Sequence, residues 1–335
     1  MIRNHAIALC TALTASAAMA GATEGATIVV FDPQGSGGTY PTHISEDGSI
    51  TGSWFDVAAQ VTEGFIRAPD GTIKPFAKGD SNPKETTGSG INVKTEVTGY
   101  VREHGGLWGY IRTPGGKIRS FQADNARRFT YPVGINKFSA IAGISANRNG
   151  QDRGFIRTKD GTITLFDAPG DADGTDPTGI NNDGSIVGSY ADGGGAAHGF
   201  LRTSDGTITT FDAAKGAILT VAEGVNDAGS ATGFFFDSGE VYHGFVRIAD
   251  GTVTIFDPPG SLATYAAAIN DNGAIIGSFI GGDNVEHGFV RSASGVIKAF
   301  DPPGSKGTLP RSINRNGDIT GTFYNGAYHG FIRKT

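Results

Sequence analysis

The sequence predicts an all-β protein, a seven-bladed β-propeller of four-stranded blades, and three observations predict it. A unit of about 45 residues recurs seven times along the chain. Each copy reads as four short strands separated by Asn-, Asp- and Gly-rich turns, whose residues tolerate positive φ. The two chain ends look like complementary parts of one copy.

The aromatic that ends each unit falls at Phe31, Phe76, Phe121, Phe166, Phe211, Phe256 and Phe300, a spacing of 45 five times and 44 once. A threonine recurs from Thr39 to Thr308, and a Gly-aromatic pair from Gly64-Phe65 to Gly330-Phe331, with an arginine two residues later each time. The unit is clearest at Gly179–Asp212. Its first strand ends at Ile180-Asn181; the others are Ser185–Tyr190, His198–Arg202 and Thr207–Asp212. Adjacent apolar pairs such as Phe200-Leu201 break simple alternation, which fits strands covered on both faces. Four-stranded units of this length are the blades of a propeller. The chain stops at Thr335 after a third strand, and Ala26–Asp32 matches the missing fourth. That strand is expected to complete blade 7 and close the ring, which would remove open sheet edges.

Residues 1–20 read as an export signal: basic Arg3 and His5, an apolar-to-small run from Ala6 to Ala15, and Ala18-Met19-Ala20 as a cleavage site. Residues 21–335 are then one propeller domain. The single cysteine, Cys10, lies in the signal, so the mature chain would have no disulfide. Removing Arg3 takes Lys+Arg from 27 to 26 against 33 Asp+Glu, and net charge from −6 to −7. A mildly acidic exported chain is a poor binder of nucleic acid or anionic membrane. The expected location is periplasmic or extracellular, and a monomer is expected.

The run Ile-Asn-x-x-Gly-x-Ile-x-Gly followed by His-Gly-Phe resembles the bacterial extracellular repeats named for a His-Ala-Phe tripeptide, the HAF-type repeats. Here Gly stands in the middle of the tripeptide, and Phe-Asp-Pro-Pro-Gly-Ser replaces the family's Leu-Gly-Thr-Leu-Gly-Gly. The resemblance covers every unit and implies an exported, propeller-like protein with no activity to transfer.

Residues shared by every copy are read as structural: the glycines for close approach of strands, the arginines for turn carboxylates or carbonyls. Histidines occupy the position two before the aromatic only in blades 4 to 7, as His198, His243, His287 and His329. Those same blades carry an aspartate after the final Phe: Asp212, Asp257, Asp301 and, with ring closure, Asp32. Strands three and four form a hairpin, so each His is expected to meet its Asp as a structural pair. Blade 3 places Arg153 opposite Asp167 instead.

Function is expected where the copies differ, on the loop face of blades 2 and 3. Ligand-binding candidates there are Lys84, Glu85, Trp108, Arg127, Arg128 and Tyr131, as aromatic faces and charges suited to an acidic sugar or a peptide. Catalytic candidates are His104 and Glu103 as bases and Arg127 as a clamp. Asp171, Asp173 and Asp176 are a weak calcium candidate lacking the distal Glu, read more simply as an acidic turn, and no cofactor is expected. No phosphate loop, zinc spacing or dinucleotide fingerprint occurs. The leading expectation is a binding protein for an extracellular glycan, another polymer or a protein. The alternatives are a polysaccharide hydrolase or lyase and a non-catalytic multivalent structural protein.

Overall fold

The computed structural model describes residues 25–78, 85–124, 129–146 and 150–335. Among these residues are 28 strands and no helix. The expected signal segment, residues 1–20, lies outside them, as do Lys84, Arg127 and Arg128.

Unit 4 shows how the repeat folds. Strands Gly174–Ile180, Ile186–Ala191, Ala197–Arg202 and Ile208–Phe211 pair antiparallel in chain order. The first turn is possible because Gly184 takes φ +88°. Asn181 Oδ1 then accepts the Ser185 amide at 2.8 Å, satisfying a donor the ladder leaves over. Strand ends differ from the sequence expectation by a residue, where the ladder frays into the turns.

The same order recurs in every unit, and neighbouring units touch along their edges only at single parallel bridges. Two of these, Asp152↔Gly174 and Ala197↔Leu219, join units 3, 4 and 5 into one 12-stranded sheet. Thr62↔Glu85 and Leu107↔Phe129 are isolated bridges at the two preceding boundaries, where the sheets stay separate. Otherwise the sheets meet face to face. The N-terminal strand is Thr27–Phe31, one residue shorter at each end than expected, and it pairs with Tyr328–Lys334 from Phe31↔Gly330 to Thr27↔Lys334. Polar contacts also join unit 7 to unit 1: the Ile44 amide donates to Ser312 Oγ at 3.2 Å and Asn314 Nδ2 to the Ser45 carbonyl at 3.4 Å.

Each face-to-face contact has the same aromatic core. In unit 4 the ring of Phe211 covers Gly199, where a Cβ would lie 2.8 Å from the ring. Phe211 then meets Phe245 of unit 5 edge-on at 5.9 Å and lies under the Arg247 guanidinium at 5.0 Å. The same pair recurs from Phe31–Phe65 to Phe300–Phe331, and the same arginine from Arg67 over Phe31 to Arg333 over Phe300. Fully buried rings such as Phe200 and Phe245 each contribute about 1.5–3 kcal/mol by leaving water. The arginines do reach carbonyls, as Arg202 to Thr203 at 3.2 Å, but they also stack on the preceding unit's phenylalanine, which the sequence expectation missed. At the opposite end, Asn181 Nδ2 donates to the Asn226 carbonyl, Asn226 to Asn270 and Asn270 to Asn314, a polar ladder from unit to unit.

Candidate functional site

Alternation gives each sheet two distinct faces. On one lie the histidines. Nδ1 of His198, His243, His287 and His329 is 2.7 Å from a carboxylate oxygen of Asp212, Asp257, Asp301 and Asp32 respectively. Three of these aspartates also serve the first strand of the next unit, for Thr39 Oγ1 donates to Asp32 at 2.5 Å, Thr264 to Asp257 at 2.6 Å and Thr308 to Asp301 at 2.5 Å. The second imidazole nitrogen faces Asp192 in unit 4, Asp237 in unit 5, Asp283 in unit 6 and Asn325 in unit 7. Burial disfavours the charged ring at His198 and His287, yet the flanking carboxylates outweigh it and hold both pKa values above the usual imidazole value. With both nitrogens engaged, these rings act as clasps between strands and loops rather than as free bases. A cavity of about 350 Å³ opens beside His243, lined also by Lys215, Asp237 and Asp257. Arg153 holds Asp167 through Nε and Nη2 at 2.8 and 2.6 Å, so unit 3 makes the same clasp with a permanent charge.

Among the described residues, the candidates in units 2 and 3 divide between the two faces instead of converging. Glu103 is buried, ion-paired with Lys78 and bonded by Ser120 Oγ at 2.9 Å, so it is consumed by structure. His104 sits at φ 47° in the tight turn before Gly105 and meets Trp108 edge-on at 5.5 Å. Trp108 lies opposite Val101 and packs against the Val97–Val101 cluster on that side. Tyr131 lies on the other face, against Tyr100 at 4.8 Å, where Glu85 takes Arg102 Nε at 2.7 Å. Burial first, then Glu85, raises the Tyr131 phenol. Asp171 does not gather cations: its carboxylate accepts the Asp173 and Gly174 amides and Thr175 Oγ1. No group of three or more metal-ligating side chains occurs among the described residues.

Tyr131 belongs to a recurring arrangement. The residue after the recurrent threonine is also tyrosine in units 1 and 6, where Tyr40 packs on Tyr328 at 5.4 Å and Tyr265 on Tyr242 at 5.0 Å. Phe234 adds an edge to Tyr265 at 5.5 Å, and Phe236 packs on Tyr242 at 4.6 Å. Tyr40 and Tyr131 remain 39% and 38% exposed, enough ring surface for a ligand to cover.

Two positions further on, the register of every first strand breaks, as between Ala222 and Gly224 or Pro310 and Ser312. A bulge of this kind turns its extra residue out of the ladder. That residue is uncharged in units 1 to 4 (Thr42, Ser89, Val133 and Thr178), then Glu223, Ala267 and Arg311 in units 5 to 7. Burial pushes the Glu223 carboxyl up to about 7, against the opposing charge of Arg311. Burial also raises Glu286, which accepts Ser278 Oγ at 2.7 Å and lies within reach of the Arg311 charge. Next to the unit 1 bulge, burial lowers His43 to about 4, so this ring is neutral near neutral pH. The sequence reading missed Glu223 and Arg311; aligning the column three after each threonine would have exposed them.

No protein-family model matches the chain, and no curated protein matches it in sequence. Its fold does match solved structures. An oligogalacturonate lyase from Vibrio parahaemolyticus is similar at 11% identity and TM-score 0.63, over 92% of this chain and 96% of that one. The β-propeller domain of the Trilobed protease from Pyrococcus furiosus, described as having an open velcro topology, is similar at 10% identity and TM-score 0.62, over 89% and 94%. A catalytically inactive virginiamycin B lyase from Staphylococcus aureus with quinupristin is similar at 16% identity and TM-score 0.58, over 92% and 99%. At these identities the likeness speaks for architecture alone. The chain is an all-β protein of the β-propeller fold.

Proposed function

We propose that the chain is an exported, seven-bladed propeller, closed by the strand Thr27–Phe31, that binds a carbohydrate polymer without transforming it. The tyrosine pairs Tyr40–Tyr328, Tyr131–Tyr100 and Tyr265–Tyr242 carry this reading. They recur at one position of the first strand, so an extended ligand would meet ring faces at several points, and sugar faces stack on such rings. Titration calorimetry against a glycan panel tests it. Tyr131→Ala and Tyr265→Ala are each expected to weaken binding by about 1 kcal/mol or more, roughly the worth of one aromatic contact. Unchanged affinity in both variants would remove the tyrosines from the site. A stoichiometry near seven would instead favour the multivalent structural reading.

Closure has its own test. Asp32→Ala and Asp257→Ala remove equivalent partners of a His and a Thr, one at the chain start and one internal. Equal losses of about 1–2 kcal/mol in urea unfolding are expected. Loss at Asp257 alone would mean that the N-terminal strand does not complete the ring.

A second reading, a polysaccharide hydrolase or lyase, is favoured by one observation. Burial raises the Glu223 carboxyl to about 7 within the field of the Arg311 charge, a setting suited to proton transfer. New reducing ends or unsaturated products from the panel, lost in Glu223→Gln, would establish it.

A further inference from the structure

The three charged residues on the units' first strands are Asp176, Glu223 and Arg311. Two of them are bulge residues, and between them stands only Ala267. Beside the bulges the first strands approach closely: a Cβ on Gly224 would lie 3.1 Å from Ala268 Cα. At the bulges of units 1 and 4 the side chain turns to the next unit's first strand, Thr42 Oγ1 donating to the Gly88 carbonyl and Thr178 Oγ1 to the Ala222 carbonyl, whereas the bulge of unit 7 makes no such bond among the described residues. Arg311 is exposed there, and its guanidinium donates no hydrogen bond to a protein acceptor among the described residues. Its charge reaches Glu223 of unit 5 and Glu286 of unit 6, and Glu286 in turn acts on Tyr265. Tyr265 stands opposite Ser278, whose hydroxyl donates to Glu286, Tyr265 packs on Tyr242, and the strand of Arg311 packs against the unit 6 strands that carry these residues, so the four lie on neighbouring strands of units 5 to 7.

We propose that these residues form a subsite for a carboxylate-bearing sugar, with the uronate carboxylate on Arg311 and the sugar ring against Tyr265 and Tyr242. The inference rests on the saccharide-binding reading and adds the chemical class. An unengaged guanidinium in a wall with few charges offers a planar fork, which a carboxylate matches with two parallel hydrogen bonds. The flanking Glu223 and Glu286 argue against a dianion such as phosphate, which would face both. A monoanion is accommodated if Glu223 is protonated, when its hydroxyl also becomes a donor to the ligand. The first strands packed against that of Glu223 carry Asp176 and Tyr265, and the charge that acts on Glu223 is Arg311. Of these only Arg311 favours its ionised form. Binding is therefore expected to take up a proton and to weaken as pH rises through about 7.

Trigalacturonate and trimannuronate, with their carboxyl-reduced counterparts, test the subsite by titration calorimetry of the full chain at about pH 6 and pH 8. The acidic trisaccharide that fits is expected to bind about ten- to hundredfold more tightly than its reduced form at pH 6, as a charge-assisted pair allows. Arg311→Met is expected to abolish that preference. Arg311→Lys is expected to restore part of it, and Tyr265→Ala to weaken both sugars. Equal binding of acidic and reduced forms, or a preference that survives Arg311→Met, overturns the subsite and leaves saccharide binding standing. Binding of none of the four trisaccharides by the folded protein overturns the subsite and counts against the saccharide reading itself.

Discussion

Units 2 and 3 depart most from the repeat, whereas units 5 to 7 keep it closely, yet the two charged bulge residues, Glu223 and Arg311, lie in the latter. Where the repeat fails, the odd residues compensate one another. Lys78 pairs with Glu103, Arg102 with Glu85, and Ser139, standing where other units have Gly, donates to Glu96 at 2.6 Å. Where the repeat holds, the frame is already satisfied, so a charge at one variable column, as at Glu223 or Arg311, is left over for other work. Divergence from a repeat thus marks local repair as readily as it marks a site.

Buried Glu103 and half-buried Glu223 give the sharpest contrast. Glu103→Ala leaves Lys78 without its buried partner and is expected to cost about 3–5 kcal/mol in urea unfolding. Glu223→Gln is expected to have the opposite sign. The Glu223 pKa is raised to about 7, above its unfolded value, so its burial costs stability as pH climbs from the carboxylate range to 7. Removing the charge should stabilise the fold by about 1–2 kcal/mol at pH 8, with the gain vanishing near pH 5. If both substitutions destabilise alike at pH 8, the two regions do not differ as argued.

The first turns extend the comparison at smaller scale. Thr95 and Ser139 take φ of 57° and 69° where unit 4 has Gly184. Thr95→Gly is expected to stabilise by about 1 kcal/mol, because a β-branched residue is strained there. Ser139→Gly should gain less, since its bond to Glu96 is lost; equal Tm gains would show that this bond contributes nothing.

The smallest effect separates the clasps. The raised folded pKa of His198 and His287 makes their contribution complete below the unfolded imidazole pKa and lost as pH rises through the folded value. Unit 3, with Arg153, has no such dependence. His287→Arg is expected to reduce the stability lost between pH 6 and 8 by a few tenths of a kcal/mol, small because Asp301 and Asp283 are partly exposed. An unchanged pH profile would mean that the His287 clasp does not titrate in this range.

Most of the frame was legible before any coordinates, because turns and strand order are short-range matters. Asn181 and Gly184 announce their turn, and the joint occurrence of His198 with Asp212 announces a hairpin contact. The candidate site was legible only in part. Tyr131 was picked out as an aromatic, but its partner Tyr100 was not. Trp108 was grouped with it although alternation along the strand puts the two on opposite faces. Glu103 looked like a free base because Lys78, from the strand-four loop of the preceding unit, is a neighbour only in space.

Periodicity alone therefore determined the strand order, the turns and the His–Asp clasps, since each depends on residues within one unit or on an exact copy of it. Tertiary structure alone decided the stacking of each arginine on the preceding phenylalanine, the loss of Glu103 to an ion pair, and the coupling of Arg311 to Glu223. Those relations join different units, and one whole unit separates Glu223 from Arg311 in the chain. Their electrostatic coupling depends on how the first strands of successive units pack and on the bulge that sets one residue of each out of the ladder.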